Sequence, residues 1–362
     1  MLVKELQSRN LPDLLTFLNG DKVLDKEDWA LRRKEIQNLL TQEEYGEFYE
    51  PPFNLAYKTL DTDDNYCAGK VTLSKILLTV ELRGGTYSFP IYSAIPKSKN
   101  PCPAFLHINF FEPIPNKYMP VEEICDNGFS LFSFCYKDVT SDEDDFSDGL
   151  AGIMYQGSKR TPTSPGKISI WAWAAMRVMD YLQTLDSIDK KNVAVVGHSR
   201  LGKTALVTGA VDDRFAFTIS NNSGCSGAAI SRDKQGEDIR VIATIRPYWF
   251  CPNYQKYIDR EHSMPLDQHF LLAAIAPRNV YVASALEDIW ADPNSEYLSC
   301  VAASPAYVLL GEIGFVYPDR YPEVGEKMHD GSIGYHLRAG THYFSRYDWQ
   351  MFIDYINKHK NI

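Results

Sequence analysis

The spacing of apolar positions changes several times along the chain, and each change marks a candidate element. Asp25 is placed to cap a helix that carries Trp29, Ile36, Leu39 and Leu40 on one side, and Pro51-Pro52 is placed to end it. From Val71 the period becomes that of strands. Ile76 to Leu82, the pair Gly84-Gly85, and Tyr87 to Ile95 predict a β-hairpin. Ala104 to Asn109 and Phe129 to Tyr136 are short, nearly continuous apolar runs, as strands buried on both faces require. Ile170 to Leu185 predicts a Trp-rich helix. A β-branched run from Val193 to Val196 follows, then a helical segment from Arg200 to Val211. Further strands are expected at Phe215 to Ser220, Val280 to Ser284 and Ile333 to Leu337, with a closing helix at Tyr347 to Lys358. Strands alternating with helices imply a mostly parallel sheet, with antiparallel strands supplied by the leading hairpin. There is no internal repeat and no Gly/Ser- or Pro-rich linker. The expected organisation is a helical N-terminal extension over residues 1–50, packed on one α/β domain over residues 51–362.

Composition narrows the class. At 362 residues and 44% hydrophobic content the chain can bury a substantial core, which excludes long disorder. No apolar run reaches the ~20 residues of a membrane helix. The opening Met-Leu-Val-Lys-Glu-Leu-Gln-Ser-Arg-Asn lacks the pattern of an export signal, so a cytoplasmic location is expected. The seven cysteines are scattered and form no Cys-x-x-Cys pair, which suits free thiols in a reducing compartment. A formal net charge of −10 without a basic cluster argues against nucleic acid as a partner. The acidic segment Asp138 to Asp148 does not have calcium-loop spacing and reads as a solvated loop. No His-Glu-x-x-His occurs, and no metal or organic cofactor is expected.

The chemistry gathers at Val193-Ala-Val-Val-Gly-His-Ser-Arg-Leu-Gly-Lys203. A strand turning through Gly-x-Ser into a helix is a nucleophile elbow, which lifts the Ser199 hydroxyl above the sheet edge at a helix N-terminus. The usual Gly-x-Ser-x-Gly is altered: Leu201 fills the last glycine's place and Gly202 comes one residue late. A serine nucleophile needs a base, and in this architecture acid and base follow it on later loops. Of the eight histidines, His342 in Arg-Ala-Gly-Thr-His, after the last predicted strand, has the required place. His198 adjoins the serine in sequence but points away, His336 falls within a strand, His262 and His269 come before the acid-bearing strand, and His107 precedes the serine. His329 lies in a polar connection and His359 in the tail. The acid should follow the strand at Val280 to Ser284, where Glu287, Asp288 and Asp292 compete and position alone does not choose. Arg200 follows the nucleophile, where its charge can serve an oxyanion or simply cover the helix surface. Lys203, one turn beyond Ser199, can share its face.

In these residues the chain resembles the glucuronoyl esterases, carbohydrate esterase family fifteen, in their bacterial branch. The resemblance rests on Gly197-His-Ser-Arg-Leu-Gly-Lys203 with its late glycine, and on four further stretches: Ile170-Trp-Ala-Trp173, Ile219-Ser-Asn-Asn-Ser-Gly-Cys-Ser-Gly-Ala-Ala229, Ala276-Pro-Arg278 and Trp290-Ala-Asp-Pro293. It runs from about Trp29 to the C-terminus. It implies an α/β-hydrolase fold, a three-layer α/β/α sandwich, and hydrolysis of esters of 4-O-methyl-glucuronic acid. By the same resemblance Ser199 is the nucleophile, His342 the base and Arg200 the oxyanion stabiliser, while Lys203, Glu237 and Trp290 hold the glucuronoyl ring. Two departures stand out. Asn222 occupies the position where many members carry the triad carboxylate, so the acid must come from the later loop, where relatives match Asp288. Members acting on plant walls are usually exported, whereas no signal is read here. The expected substrate is therefore a small-molecule or oligosaccharide uronate ester. An acetyl-xylan or other acetyl esterase on the same triad, and a noncatalytic carbohydrate-binding protein that kept the pocket, are the competing readings. The sequence leaves the oligomeric state open.

Overall fold

Successive residues of the strand Ile188–His198 face opposite cores, and this alternation organises the molecule. Val193 and Val195 enter one hydrophobic core, Ala194 and Val196 a second on the other side of the sheet. The computed structural model describes residues 2–360. Its ten strands are β1 (Asn54–Asn65), β2 (Val71–Leu82), β3 (Gly85–Pro96), β4 (Cys102–Asn109), β5 (Ser130–Cys135), β6 (Ile188–His198), β7 (Phe217–Asn221), β8 (Asn279–Ala285), β9 (Lys327–Met328) and β10 (Ile333–Arg338). They form one sheet in the order β1-β2-β3-β5-β4-β6-β7-β8-β10-β9. The block from β5 to β10 in this order is parallel throughout, while β1, β2 and β3 join it antiparallel at one end and β9 at the other.

The five longest helices are α1 (Lys26–Leu40), α2 (Lys167–Leu182), α3 (Arg200–Val211), α4 (Pro293–Leu309) and α5 (Arg346–His359). Residues of α1 to α4 fill the first core, and α5 covers the second with Trp349, Phe352 and Ile356. The result is the expected three-layer α/β/α sandwich around a mostly parallel sheet. Several boundaries differ from the sequence reading. Helix α1 starts where Asp25 caps it, its carboxylate accepting the Asp28 N–H, but it ends at Leu40 in a π-turn (Thr41–Tyr45) well before Pro51. That turn sends Glu44 and Tyr45 inward, where the Tyr45 hydroxyl donates to the Ser226 carbonyl at 3.0 Å. The helix read as Ile170 to Leu185 runs from Lys167 to Leu182. Strand β1 is an addition. It is exposed along nearly its whole length and pairs with β2 from Asn54 to Asp63, so it lacks the apolar alternation that marks a strand in sequence.

The N-terminal segment shares the first core through Leu2, Leu14, Trp29 and Ile36. Polar ties fasten it further: the Arg33 Nε donates to the Ala274 carbonyl at 2.6 Å, and Arg9 reaches the Ser295 hydroxyl at 2.7 Å.

Burial sets the pH response of this fold. Burial, with a neighbouring histidine charge, holds His107 and His198 down to about 3, and burial holds His269 and His329 down to about 4. Below about pH 6.5 the unfolded chain takes up these protons and the folded one does not, so stability falls with pH. Buried Glu44 and Glu296, both raised to about 7 by burial, act oppositely and offset part of that loss. The histidines outnumber the glutamates, so a net loss of stability remains as the pH falls from about 6.5 towards 5. Thermal melting across that range should show a steep fall in Tm, and a flat profile would contradict this assignment of charge.

Candidate active site

The elbow is built by close packing at two glycines. A Cβ at Gly197 would stand 2.0 Å from the Leu201 carbonyl oxygen, so only glycine lets β6 turn into α3. At Gly202 a Cβ would lie 3.0 Å from Ser220 Oγ and 3.1 Å from Ser223 Cβ, which explains why the second glycine falls there. Leu201, in the place of the usual glycine, is buried in the first core. Ser199 itself has φ 58° and ψ −129°, a strained conformation for a residue with a Cβ. Backbone bonds hold it: its N–H donates to the Asn221 carbonyl at 2.9 Å, and its carbonyl accepts from Gly202 N–H at 2.8 Å.

His342 lies on the loop after β10, and its Nδ1 is 2.6 Å from Asp288 Oδ2. Of the three competing carboxylates the structure places Asp288 against the imidazole. Glu287 instead accepts the Gly340 backbone N–H at 3.1 Å, and Asp292 caps α4 through the Ser295 N–H and hydroxyl. Asp288 is buried, and its Oδ2 also accepts from Asn222 Nδ2 at 2.8 Å. Burial works to raise its carboxyl, but the bonds from His342 and Asn222 and the His342 charge outweigh burial and keep it below the ordinary carboxylate range. Asn222 thus sits beside the Asp288 carboxylate, hydrogen-bonded to it.

His198 departs from the sequence reading. Its ring lies 4.5 Å from that of His342, and its Nδ1 pairs with Asn221 Oδ1 at 2.6 Å. It is a buried, neutral neighbour of the exposed imidazole rather than a residue turned away from it.

Two clefts meet at Ser199, Arg200 and His342. One, of about 240 Å³, is lined further by Lys203, Asn222, Ser223, Gly224, Glu237, Trp249 and Trp290. The other, of about 340 Å³, is lined by Phe110, Phe111, Tyr118, Tyr136, Lys137 and His198. Lys203 is buried, with its Nζ donating to the Ser223 and Cys225 carbonyls and standing 3.7 Å from Glu237 Oε2. Glu237 is positioned by its N–H bond to the Trp290 carbonyl at 3.0 Å, and the Trp290 ring is half exposed at the cleft. All seven sequence-derived residues therefore border this one region, Asp288 through His342. The Arg200 guanidinium lies 4.8 Å from the Trp249 ring centroid and pairs with Asp142. Glu143, Asp144 and Asp145 are exposed as a solvated loop requires, but Asp142 is nearly buried and Asp148 pairs with the buried Lys167, which corrects the reading of Asp138 to Asp148 at these two positions. Neither Trp249 nor Asp142 carries a local sequence signal. Their roles arise from side chains brought together over 58 and more positions.

The family described as fungal glucuronyl esterase matches residues 78–311. Carbohydrate esterase MZ0003, from an unknown prokaryotic organism, is 33% identical over 96% of this chain and 89% of its own. The 4-O-methyl-glucuronoyl methylesterase of Thermothelomyces thermophilus is 31% identical, covering 86% of this chain and 75% of its own. Among solved structures, a glucuronoyl esterase from Solibacter usitatus superposes with a TM-score of 0.88 at 32% identity, covering 96% of this chain and 97% of its own.

Proposed function

We infer the mechanism from the premise that this chain belongs to the glucuronoyl esterase family, carbohydrate esterase family 15, and is a carboxylic ester hydrolase acting on esters of glucuronic acid. Ser199 Oγ attacks the ester carbonyl carbon while His342 Nε2 takes its proton. Asp288, accepting from Nδ1–H, leaves Nε2 as the free acceptor and stabilises the imidazolium that forms. The carbonyl oxygen becomes an oxyanion beside the Arg200 guanidinium. Collapse breaks the ester bond, the departing alkoxide takes the proton from His342, and an acyl-Ser199 intermediate remains. Water, activated by His342, then releases glucuronate and restores Ser199.

The observation that carries this reading is the 2.6 Å His342–Asp288 bond at the point where both clefts reach Ser199 and Arg200. An ester carbonyl at Ser199 has two substituents to place, and two clefts are available. The glucuronoyl ring suits the polar one, where Lys203 and Glu237 offer charged hydrogen-bonding groups and Trp290 a ring face for the pyranose. The alcohol then leaves through the aromatic cleft.

Purified protein assayed on methyl and benzyl glucuronate beside acetylated xylan and an aryl acetate tests the substrate class. A preference for the acetyl esters would overturn it in favour of an acetyl esterase. Within the glucuronate reading, Glu237→Ala should lower kcat/KM on glucuronate esters by about 10- to 150-fold, the worth of one hydrogen bond involving a charged group. The aryl acetate has no ring hydroxyls, so its kcat/KM should stay within about twofold of the parent value. Equal losses on both substrates would remove Glu237 from sugar recognition. Lys203→Ala should show the same substrate difference and a lower Tm as well, because two carbonyls lose their buried donor.

A further inference from the structure

We propose that Asp142 is a positioning residue that aims the Arg200 guanidinium at the reacting carbonyl; this rests on the reading of Arg200 as the oxyanion donor. The acidic segment that holds Asp142 is anchored from beneath. Lys167 Nζ, fully buried, donates to Thr140 Oγ1 at 2.7 Å and to Asp148 Oδ1 at 3.2 Å, and Trp171 Nε1 donates to the Thr140 carbonyl at 3.3 Å. On that base the Asp142 carboxylate is filled on both oxygens. Oδ2 accepts from Arg200 Nη1 and from the Tyr136 hydroxyl at 3.2 Å, and Oδ1 accepts from Trp249 Nε1 at 2.7 Å. Its backbone carbonyl accepts from the Tyr248 hydroxyl at 2.9 Å.

An arginine side chain has many rotamers, and a donor that wanders contributes little to a transition state. Two constraints remove that freedom here. The rings of Trp249, at 4.8 Å, and Phe110, at 5.6 Å, flank the guanidinium, and the carboxylate fixes which edge of the fork is engaged. Nη1 goes to Asp142. The Arg200 side chain stays a quarter exposed where it borders both clefts, so the part of the fork not engaged by Asp142 is open to the substrate. Asp142 also ties Arg200 to Trp249, a wall of the polar cleft, so the donor and the wall keep one geometry.

The test is a double-mutant cycle on methyl glucuronate with Asp142→Asn, Arg200→Ala and the double variant, reading kcat, KM and Tm. Asp142→Asn keeps the shape of the side chain and an acceptor for Trp249. Arg200→Ala should lower kcat about 100- to 1000-fold, the range for loss of one oxyanion donor. Asp142→Asn should lower kcat about 10- to 100-fold by misplacing that donor, with KM changing less than about threefold. The double variant should match Arg200→Ala within about twofold, because Asp142 then has nothing left to aim. Millimolar guanidinium should restore part of the kcat of Arg200→Ala, and none in the double variant, where the carboxylate that would hold the free cation is gone. Should Asp142→Asn fail to fold, Asp142→Glu carries the same test, since one added methylene displaces the guanidinium while keeping the charge. An Asp142→Asn enzyme with parental kcat, or multiplicative losses in the double variant, would reduce Asp142 to a structural tie. Parental kcat in Arg200→Ala is a different failure and would overturn the oxyanion reading of Arg200 itself.

Discussion

Ser199→Ala is expected to lower kcat on glucuronate esters by about 10⁴- to 10⁶-fold, while the protein still folds and its Tm moves by less than about 2 °C. Both halves follow from the elbow. The acyl group has no other place to be transferred, so losing the hydroxyl removes the covalent route, and only oxyanion stabilisation and substrate positioning remain. The turn is held by backbone groups that alanine retains, namely the Ser199 N–H to Asn221 and the Ser199 carbonyl to Gly202. Alanine also inherits the strained φ of 58° and ψ of −129°, which typically costs about 1–3 kcal/mol for a residue with a Cβ. Ser199→Gly should therefore be as inactive and measurably more stable than Ser199→Ala, an ordering that melting curves can check directly. Turnover near the parental rate in the alanine variant would return the elbow to a structural turn.

The sequence made some parts of this site legible because their causes are local. The elbow strand is a β-branched run because it is buried on both faces, with Val193 to Val196 divided between two cores. The displaced glycine at 202 has a longer-range cause, set by how closely α3 approaches Ser220 and Ser223. Strand β1 was not legible, since an exposed, polar edge strand gives no alternation and depends on its partner β2 for pairing. Nor could spacing choose among Glu287, Asp288 and Asp292. That choice depends on which carboxylate the turn after β8 delivers to a histidine 54 positions later, and the other two have local tasks that look the same in sequence. Asp142 was hidden for a related reason. Within a run of acids nothing marks the one that folding buries against Arg200 and Trp249. Local chemistry marks the elbow serine; long-range packing decides which side chains gather around it.

Asp288→Asn is expected to lower kcat by about 10⁴-fold with little change in KM, the loss typical of a triad whose acid becomes an amide. The reason lies in who donates to whom. Asp288 Oδ2 accepts from both His342 Nδ1 and Asn222 Nδ2, and Oδ1 accepts from the Ala291 N–H at 3.3 Å. A carboxylate can accept from all of them, but an amide has one oxygen. If that oxygen faces His342 and Asn222, the NH₂ meets the Ala291 N–H and the negative charge opposite the imidazolium is gone. If it faces Ala291, the NH₂ points at His342 Nδ1 and imposes the other tautomer, placing the proton on Nε2, where Ser199 must deliver its own. Either arrangement removes the stabilisation that Asp288 supplies while ionised, which its low carboxyl pKa secures at neutral pH. Glu287→Gln should leave kcat within about threefold of the parent, since an amide oxygen can still accept the Gly340 N–H. Asp292→Asn should likewise spare kcat, its effect falling on the cap of α4, where asparagine remains a good substitute. Exchanging the partners, as Asn222→Asp with Asp288→Asn, returns a carboxylate to the same hydrogen-bonded pair and should recover part of the lost turnover. Initial rates on methyl glucuronate for the four variants decide the matter. If Glu287→Gln is the crippling change, the acid is Glu287 and the His342–Asp288 bond is only structural.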